Sequence, residues 1–166
     1  MAAAVIAASE ERFRSDASSA RAAPAATATL ANGRARISAG AFNWDADLPA
    51  QLGGENLSPS PTAYLLGALA GCAVAFVADT LAPQLDVQLE GVTATARGSF
   101  DFRGLLGIDG VAPDLSELEL EISLISPDPR DRLEALYAAF LERCPIYLAL
   151  TKPMDVTTRL TVSNHA

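Results

Sequence analysis

The sequence predicts an α+β fold: an antiparallel sheet packed on a buried central helix and on a second, amphipathic helix. Three patterns support this prediction. The segment from Thr62 to Ala78 contains no charged residue, which is typical of a helix that is buried on every side. Residues 87–102 and 116–126 alternate apolar and polar side chains, as strands with one face in the core do. Residues 130–144 carry apolar side chains at helical spacing, and helices packed on one face of an antiparallel sheet define this fold class.

Turn and capping residues predict the remaining elements. Asn32-Gly33 suits the positive φ angles of a type I′ turn, so a hairpin is expected there. A short strand is expected around Ala41 to Trp44. Ser60 can cap the central helix, and Pro61 suits its first position because proline lacks the N–H that would stay unsatisfied there. Residues 154–163 alternate again and predict a final strand.

A single domain accounts for most of the chain. Its 166 residues suffice for one hydrophobic core, and no change in composition divides them. We assign residues 27–166 to this domain and residues 1–26 to a poorly ordered or weakly helical leader. The leader lacks the basic stretch before an apolar run that a secretory signal needs, and its acidic residues argue against a transit peptide. We therefore expect a cytoplasmic protein.

Charge and histidine content exclude several classes of function. With 12 basic and 20 acidic side chains the chain has a net charge of −8, whereas nucleic acids and anionic membranes bind basic surfaces. The single histidine, His165, lies beside the C-terminus. A Ser-His-Asp triad, a Cys-His pair or a histidine-rich metal site within one chain would need that residue.

The central helix also predicts an assembly. At 17 uncharged residues, rich in Ala and Gly and without flanking basic residues, it is better explained as a buried helix than as a membrane span. One sheet covers only part of such a helix. The second helix or a second subunit must cover the rest, and we favour an intimate homodimer.

Two cysteines are the candidate reactive groups. Cys72 lies in the middle of the central helix, where it is either an inert core residue or a thiol activated by a distant side chain such as an arginine. Cys144 precedes Pro145 and lies on the apolar side of the second helix. Either a short helix begins at Pro145 with Cys144 as its N-cap, which favours a thiolate, or one continuous helix is kinked there.

The pair indicates more than either cysteine alone. Two thiols on apolar helix faces meet if those faces pack together. A thiol in an apolar pocket with a second thiol nearby suits the reduction of an apolar peroxide, in which the first sulfur becomes a sulfenic acid and the second condenses with it to a disulfide.

The segments around both cysteines resemble the OsmC/Ohr superfamily of osmotically inducible and organic hydroperoxide resistance proteins. GGENLSPSPTAYLLGALAGC resembles the glycine-rich loop, helix start and first reactive cysteine of the family, and RCPIYLAL resembles its Cys-Pro segment. EGVTATARGSFDFRGLLGID, between them, is similar to the strand and turn of the wider OsmC branch.

The resemblance implies an intertwined homodimer with two active sites at the subunit interface. Each site would reduce organic hydroperoxides with lipoyl or other small dithiols as reductant. Cys72 falls at the peroxidatic position and Cys144 at the resolving position. The resemblance implies no metal and no organic cofactor.

The sequence departs from the family at one important position. Peroxidase branches carry a glutamate shortly after the helix-starting proline, where it holds an arginine over the thiol, but here Thr62 and Ala63 follow Pro61. The arginine of the family comes from the N-terminal region, so Arg34 and Arg36 are both candidates. The missing carboxylate favours an alternative function, a non-catalytic dimer that binds a small hydrophobic ligand. A third alternative is that the two thiols form a structural or redox-sensing disulfide.

Overall fold

The computed structural model describes residues 2–163, so His165, on which the histidine argument depends, lies outside the described part. Antiparallel sheets and helices make up the fold, which confirms the predicted α+β class. The helices are α1 (Ala2–Ser15), α2 (Pro61–Phe76), α3 (Ala82–Gln84), α4 (Phe102–Leu105), α5 (Arg130–Arg143) and α6 (Pro145–Thr151). The strands are β1 (Thr27–Ala31), β2 (Arg34–Ala39), β3 (Phe42–Ala46), β4 (Gly91–Ser99) and β5 (Ser116–Ile125).

The strands form two sheets. Strands β1, β2 and β3 form an antiparallel meander, and β4 pairs with β5 in a separate antiparallel ribbon. Asn32 and Gly33 have φ angles of 52° and 75°, as the predicted type I′ turn requires. The hydroxyl of Tyr64 on α2 donates a hydrogen bond to the carbonyl of Asp45 at 2.7 Å, which ties the meander to the central helix.

Local sequence explains both the start of the central helix and the irregular turn near its end. The Ser60 hydroxyl accepts a hydrogen bond from the N–H of Ala63 at 3.2 Å, and Pro61 occupies the first turn. After α2 the helix widens into a π turn, Val77–Leu81, and continues through α3. We attribute the wide turn to Pro83, which has no N–H to bond the carbonyl four residues earlier. The continuous segment Pro61–Gln84 is long and apolar enough to cross a membrane, a test that the core helix of a soluble protein also passes.

The core lies on one side of this helix only. The fully enclosed cluster joins the end of the central helix to α5 and includes Ala73, Val77, Leu81, Leu136, Phe140 and Cys144. Within α2 itself only Leu69 and Ala73 are buried. One face of α2 has no element of residues 2–163 packed on it, so the helix still needs the further covering element that its uncharged sequence predicts.

The predicted final strand is also absent from the single chain. Residues 153–163 form no helix or strand, and the side chains of Val156 and Leu160 are 75% and 86% exposed. Residues 154–163 do alternate apolar and polar side chains, but a strand needs a neighbouring backbone to hydrogen-bond, and within residues 2–163 neither sheet includes this segment.

Candidate active site: the Cys72–Cys144 thiol pair

The fold brings the two cysteines into contact. The Sγ atoms of Cys72 on α2 and Cys144 at the start of α6 lie 3.1 Å apart, although 72 positions separate them in the sequence. Both are free thiols. A disulfide bond is about 2.05 Å long, so the sulfurs need to approach by only about 1 Å to form one. The prediction that the two helix faces pack together is confirmed.

Cys144 is the enclosed member of the pair and caps a helix. Its side chain has no solvent exposure and belongs to the core cluster. Its backbone is extended (φ −68°, ψ 115°), and its Sγ accepts a hydrogen bond from the N–H of Tyr147 at 3.5 Å. Pro145 forces this extended conformation because it disfavours the helical region for the residue before it. Of the two alternatives for this position, the N-cap is correct and the kinked continuous helix is wrong.

Cys72 is half-buried and is held in its protonated form within a single chain. Burial most of all, together with the hydrogen bond and the charge of the neighbouring Cys144, raises the pKa of this thiol to about 11. The backbone N–H of Ile146 opposes this shift because it donates to the sulfur. A thiolate at Cys72 at neutral pH therefore needs a positive charge that this environment does not supply.

Neither candidate arginine reaches the thiols within one chain. Among residues 2–163, the pair receives no hydrogen bond from a basic side chain. The Nε atom of Arg36 lies 2.8 Å from Oδ1 of Asp45, so this guanidinium is engaged on the meander. Arg34 instead lines a cleft of about 420 Å³, in which Asp47 and Gly54 also lie.

Asp47, which is not among the site residues expected from sequence, holds the loop that leads to the central helix. It is 5% exposed, and its carboxylate accepts hydrogen bonds from the N–H groups of Leu48, Glu55 and Leu57. The hydrogen bond from Leu57 lowers the pKa of this carboxyl most, and burial opposes the shift. The hydrogen bonds from Leu48 and Glu55 and the charge of Arg34 lower the pKa further. An aspartate just before a turn-rich loop is a weak sequence signal for this role, since acidic side chains commonly accept hydrogen bonds from the backbone N–H groups of a loop.

Gly54 is required by the same loop. A Cβ atom at this position would overlap the carbonyl of Leu48 and lie 2.7 Å from Oδ1 of Asp47. The predicted glycine-rich loop is thus a tight turn closed around a buried carboxylate. Thr62 and Ala63, at the position where a peroxidase glutamate is expected, lie in the first turn of α2.

Comparison with known proteins identifies the family. A family model described as OsmC-like protein matches residues 53–159, which include both cysteines. The solved structures that resemble this fold include an OsmC-like protein from Mycoplasma pneumoniae, with a TM-score of 0.66 and 20% identity over 78% of this chain and 88% of the other. An organic hydroperoxide resistance protein OsmC from Legionella pneumophila gives a TM-score of 0.53 and 22% identity over 78% and 89%.

A third structure belongs to the same group. The organic hydroperoxide resistance protein from Elizabethkingia anophelis has a TM-score of 0.56 and 18% identity over 78% of this chain and 88% of that one. A search of curated proteins gave no match. At these identities the structures establish the fold, and the family model covers well over half of the sequence. The chain belongs to the OsmC-like protein family.

Proposed function

We propose that the protein is a thiol-dependent peroxidase that reduces organic hydroperoxides, with Cys72 as the attacking and Cys144 as the resolving residue. The observation that carries the proposal is the 3.1 Å contact between a half-buried and a fully buried thiol. The half-buried sulfur is the one that a peroxide reaches. The apolar surroundings of the pair favour alkyl hydroperoxides over hydrogen peroxide.

The proposed reaction requires the two cysteine sulfurs, the hydroperoxide and one external dithiol, and it produces an alcohol, water and an oxidised dithiol. The Cys72 thiolate attacks the terminal oxygen of the hydroperoxide, so that an S–O bond forms, the O–O bond breaks and the alkoxide leaves and takes up a proton. The Cys144 thiol then displaces hydroxide from the Cys72 sulfenic acid, which gives a disulfide and water. A small dithiol such as a lipoyl group reduces this disulfide and becomes a disulfide itself.

We further propose that the working unit is a homodimer with active sites at the subunit interface. Two surfaces of the single chain support this: the uncovered face of α2, where Ala68, Gly71 and Ala75 are exposed, and the unpaired residues 153–163, whose alternating apolar side chains are exposed. A helix of this composition is buried in water-soluble proteins. A second copy also offers the positive charge that Cys72 lacks. Arg34 is the better candidate for it, because Arg36 is paired with Asp45.

Two cysteines are too few for the disulfide framework of a small secreted domain, and the net charge of −8 does not suit nucleic acid or anionic membranes. We therefore place the protein in the cytoplasm.

The proposal is tested by peroxide consumption. Purified protein with a small dithiol is expected to consume tert-butyl or cumene hydroperoxide. Cys72→Ser should abolish turnover, and Cys144→Ser should allow a single reaction that stops at the sulfenic acid, seen as one added oxygen by intact mass. Full turnover by the Cys72→Ser variant would refute the assignment.

A second candidate is a non-catalytic dimer that holds a small hydrophobic ligand. The raised pKa of Cys72 and the missing carboxylate after Pro61 favour it. The rate of iodoacetamide alkylation against pH separates the two functions. Rapid alkylation of Cys72 at pH 6 supports the peroxidase, and alkylation that becomes appreciable only above about pH 8.5, the range of an unperturbed thiol, supports the binding protein.

A further inference from the structure

We propose that a small apolar cavity beside the thiol pair holds the alkyl group of the hydroperoxide, and that its size makes compact, uncharged alkyl hydroperoxides the preferred substrates. This inference rests on the proposed function and narrows its substrate class. The cavity has a volume of about 70 Å³ and lies between α2, β5 and α6. Its lining residues are Leu69, Leu118, Leu120, Tyr147, Leu150 and Thr151.

Each cysteine has a residue of the cavity wall one helical turn away. Leu69 precedes Cys72 by three positions on α2, and Tyr147 follows Cys144 by three positions on α6. Residues three apart on a helix share a face, and helical side chains lean toward the N-terminus of their helix. The side chain of Cys72 therefore leans toward the turn that carries Leu69. Tyr147 leans back toward Cys144, whose Sγ accepts a hydrogen bond from its N–H at 3.5 Å.

This separation matches the length of a hydroperoxide group. In a reactive complex the attacked oxygen lies about 3–3.5 Å from the sulfur. The alkyl carbon is two bonds beyond that oxygen, so it lies roughly 5 Å from the sulfur, close to the helix pitch of about 5.4 Å. An alkyl group in the cavity therefore leaves the O–O bond within reach of Cys72, the half-buried thiol.

The volume of the cavity limits the size of the alkyl group. An engineered apolar cavity of about 150 Å³ holds benzene, and this cavity has about half that volume. It suits about three or four carbon atoms, such as the methyl groups of a tert-butyl group, and it is too small for a phenyl ring.

The lining selects against charge. Four of the six lining residues are leucines, and within the described part of the chain no charged side chain lines the cavity. The Thr151 hydroxyl already donates to the carbonyl of Tyr147 at 2.9 Å. A charged alkyl group would lose its hydration here without gaining a partner. Leu118 and Leu150 are 38% and 37% exposed, so the substrate enters on their side.

Two hydroperoxides that differ in one group test the size limit. Cumene hydroperoxide carries a phenyl ring in place of one methyl group of tert-butyl hydroperoxide. With the full-length protein and a small dithiol, kcat/KM is expected to be about tenfold or more higher for tert-butyl hydroperoxide, the usual effect of excess size in an apolar pocket. Leu120→Ala enlarges the cavity and should lower this ratio about tenfold.

A matched variant controls for the loss of packing. Leu124→Ala removes the same atoms from the same face of β5, outside the cavity lining, and should leave the ratio unchanged. Leu118→Ala, at the open side, replaces Leu120→Ala if that variant does not fold by circular dichroism. A wild-type preference for cumene hydroperoxide overturns the inference. So does an equal ratio in all three proteins, the result expected if a side chain of a second copy fills the cavity.

Protection of Cys72 from iodoacetamide by the product alcohols separates this inference from the proposed function, because it needs no turnover. tert-Butyl alcohol should slow alkylation of the wild type more than 2-phenyl-2-propanol does, and Leu120→Ala should reduce this difference. Size-dependent protection without peroxide consumption would support the cavity as a binding site and refute the peroxidase. Peroxide consumption without size-dependent protection would refute the role of the cavity.

Discussion

Arg36 and Asp45 form an ion pair across neighbouring strands, with Nε 2.8 Å from Oδ1. The pair lies on β2 and β3 and engages the guanidinium on its own sheet. Arg34, two residues earlier on the same strand, faces the cleft that Asp47 also lines. Two arginines that the sequence could not distinguish are thus placed in different surroundings by the fold.

Replacement of Arg34 should impair the thiol chemistry, and replacement of Arg36 should not. If Arg34 of a second copy supplies the charge at Cys72, Arg34→Ala raises the pKa of that thiol and slows its alkylation at pH 7 by about tenfold or more, one pKa unit. The matched Arg36→Ala variant loses only an exposed ion pair and should keep the wild-type rate. Identical rates in both variants would exclude Arg34 from this role.

The uncovered face of α2 should be the site of assembly. A Cβ atom at Gly71 meets no atom within 4 Å in the single chain, so Gly71→Leu is tolerated by the subunit itself. It should nevertheless block close packing by a second copy and convert the proposed dimer to a monomer in light scattering. Ala138→Leu places the same side chain on the exposed face of α5 and should stay dimeric. Circular dichroism checks that both variants keep their helices.

The stability of the separated subunit should fall in alkaline solution. The folded subunit holds the pKa of Cys72 at about 11, above the value of about 8.5 for an unfolded thiol. Between these values the unfolded chain loses its proton first, so the free energy of unfolding decreases as the pH rises from about 9 to 11. Urea denaturation of Gly71→Leu should show this decrease. Adding Cys72→Ser should remove the part due to this thiol, and an unchanged slope would contradict it.

The buried carboxylate of Asp47 should stabilise the fold above its pKa and cease to do so in acid. Its three backbone hydrogen bonds lower the pKa of the folded carboxyl below 3.8, so stability is fully present above the unfolded value and is lost as the pH falls through the folded one. Asp47→Asn should lower the denaturation midpoint at pH 7 and flatten its dependence on pH below 4. Asp45→Asn, which loses an exposed pair, should change the midpoint much less. A midpoint in Asp47→Asn equal to that of the wild type would refute this role for the carboxylate.

Local patterns predicted most of the fold. The Asn32-Gly33 turn and the capped start of α2 follow from backbone preferences of a few neighbouring residues, and the structure has both. The Cys-Pro dipeptide was compatible with a new helix that begins at Pro145 and with one kinked continuous helix. The structure shows the new helix, with Cys144 as its N-cap.

The remaining features depend on residues far apart in the chain. No local pattern shows that Asp47 bonds Leu57 or that Arg36 pairs with Asp45, because side-chain partners are set by tertiary packing. The uncharged sequence of α2 correctly indicated a helix that needs a second covering element, whereas the strand predicted over residues 154–163 does not form. Neither segment finds a partner within residues 2–163, so the helix stays half covered and the last segment stays without a strand.

The complete burial of Cys144 determines how a disulfide between the two cysteines is reopened. Thiol–disulfide exchange requires the incoming thiolate to reach one of the two sulfur atoms. Of the two residues only Cys72 is partly exposed, so in the proposed reaction a reductant would form its mixed disulfide at Cys72 and Cys144 would be the leaving group. Burial of Cys144 in the cluster that contains Phe140 and Leu136, rather than the relative acidity of the two thiols, would then decide which sulfur the reductant attacks.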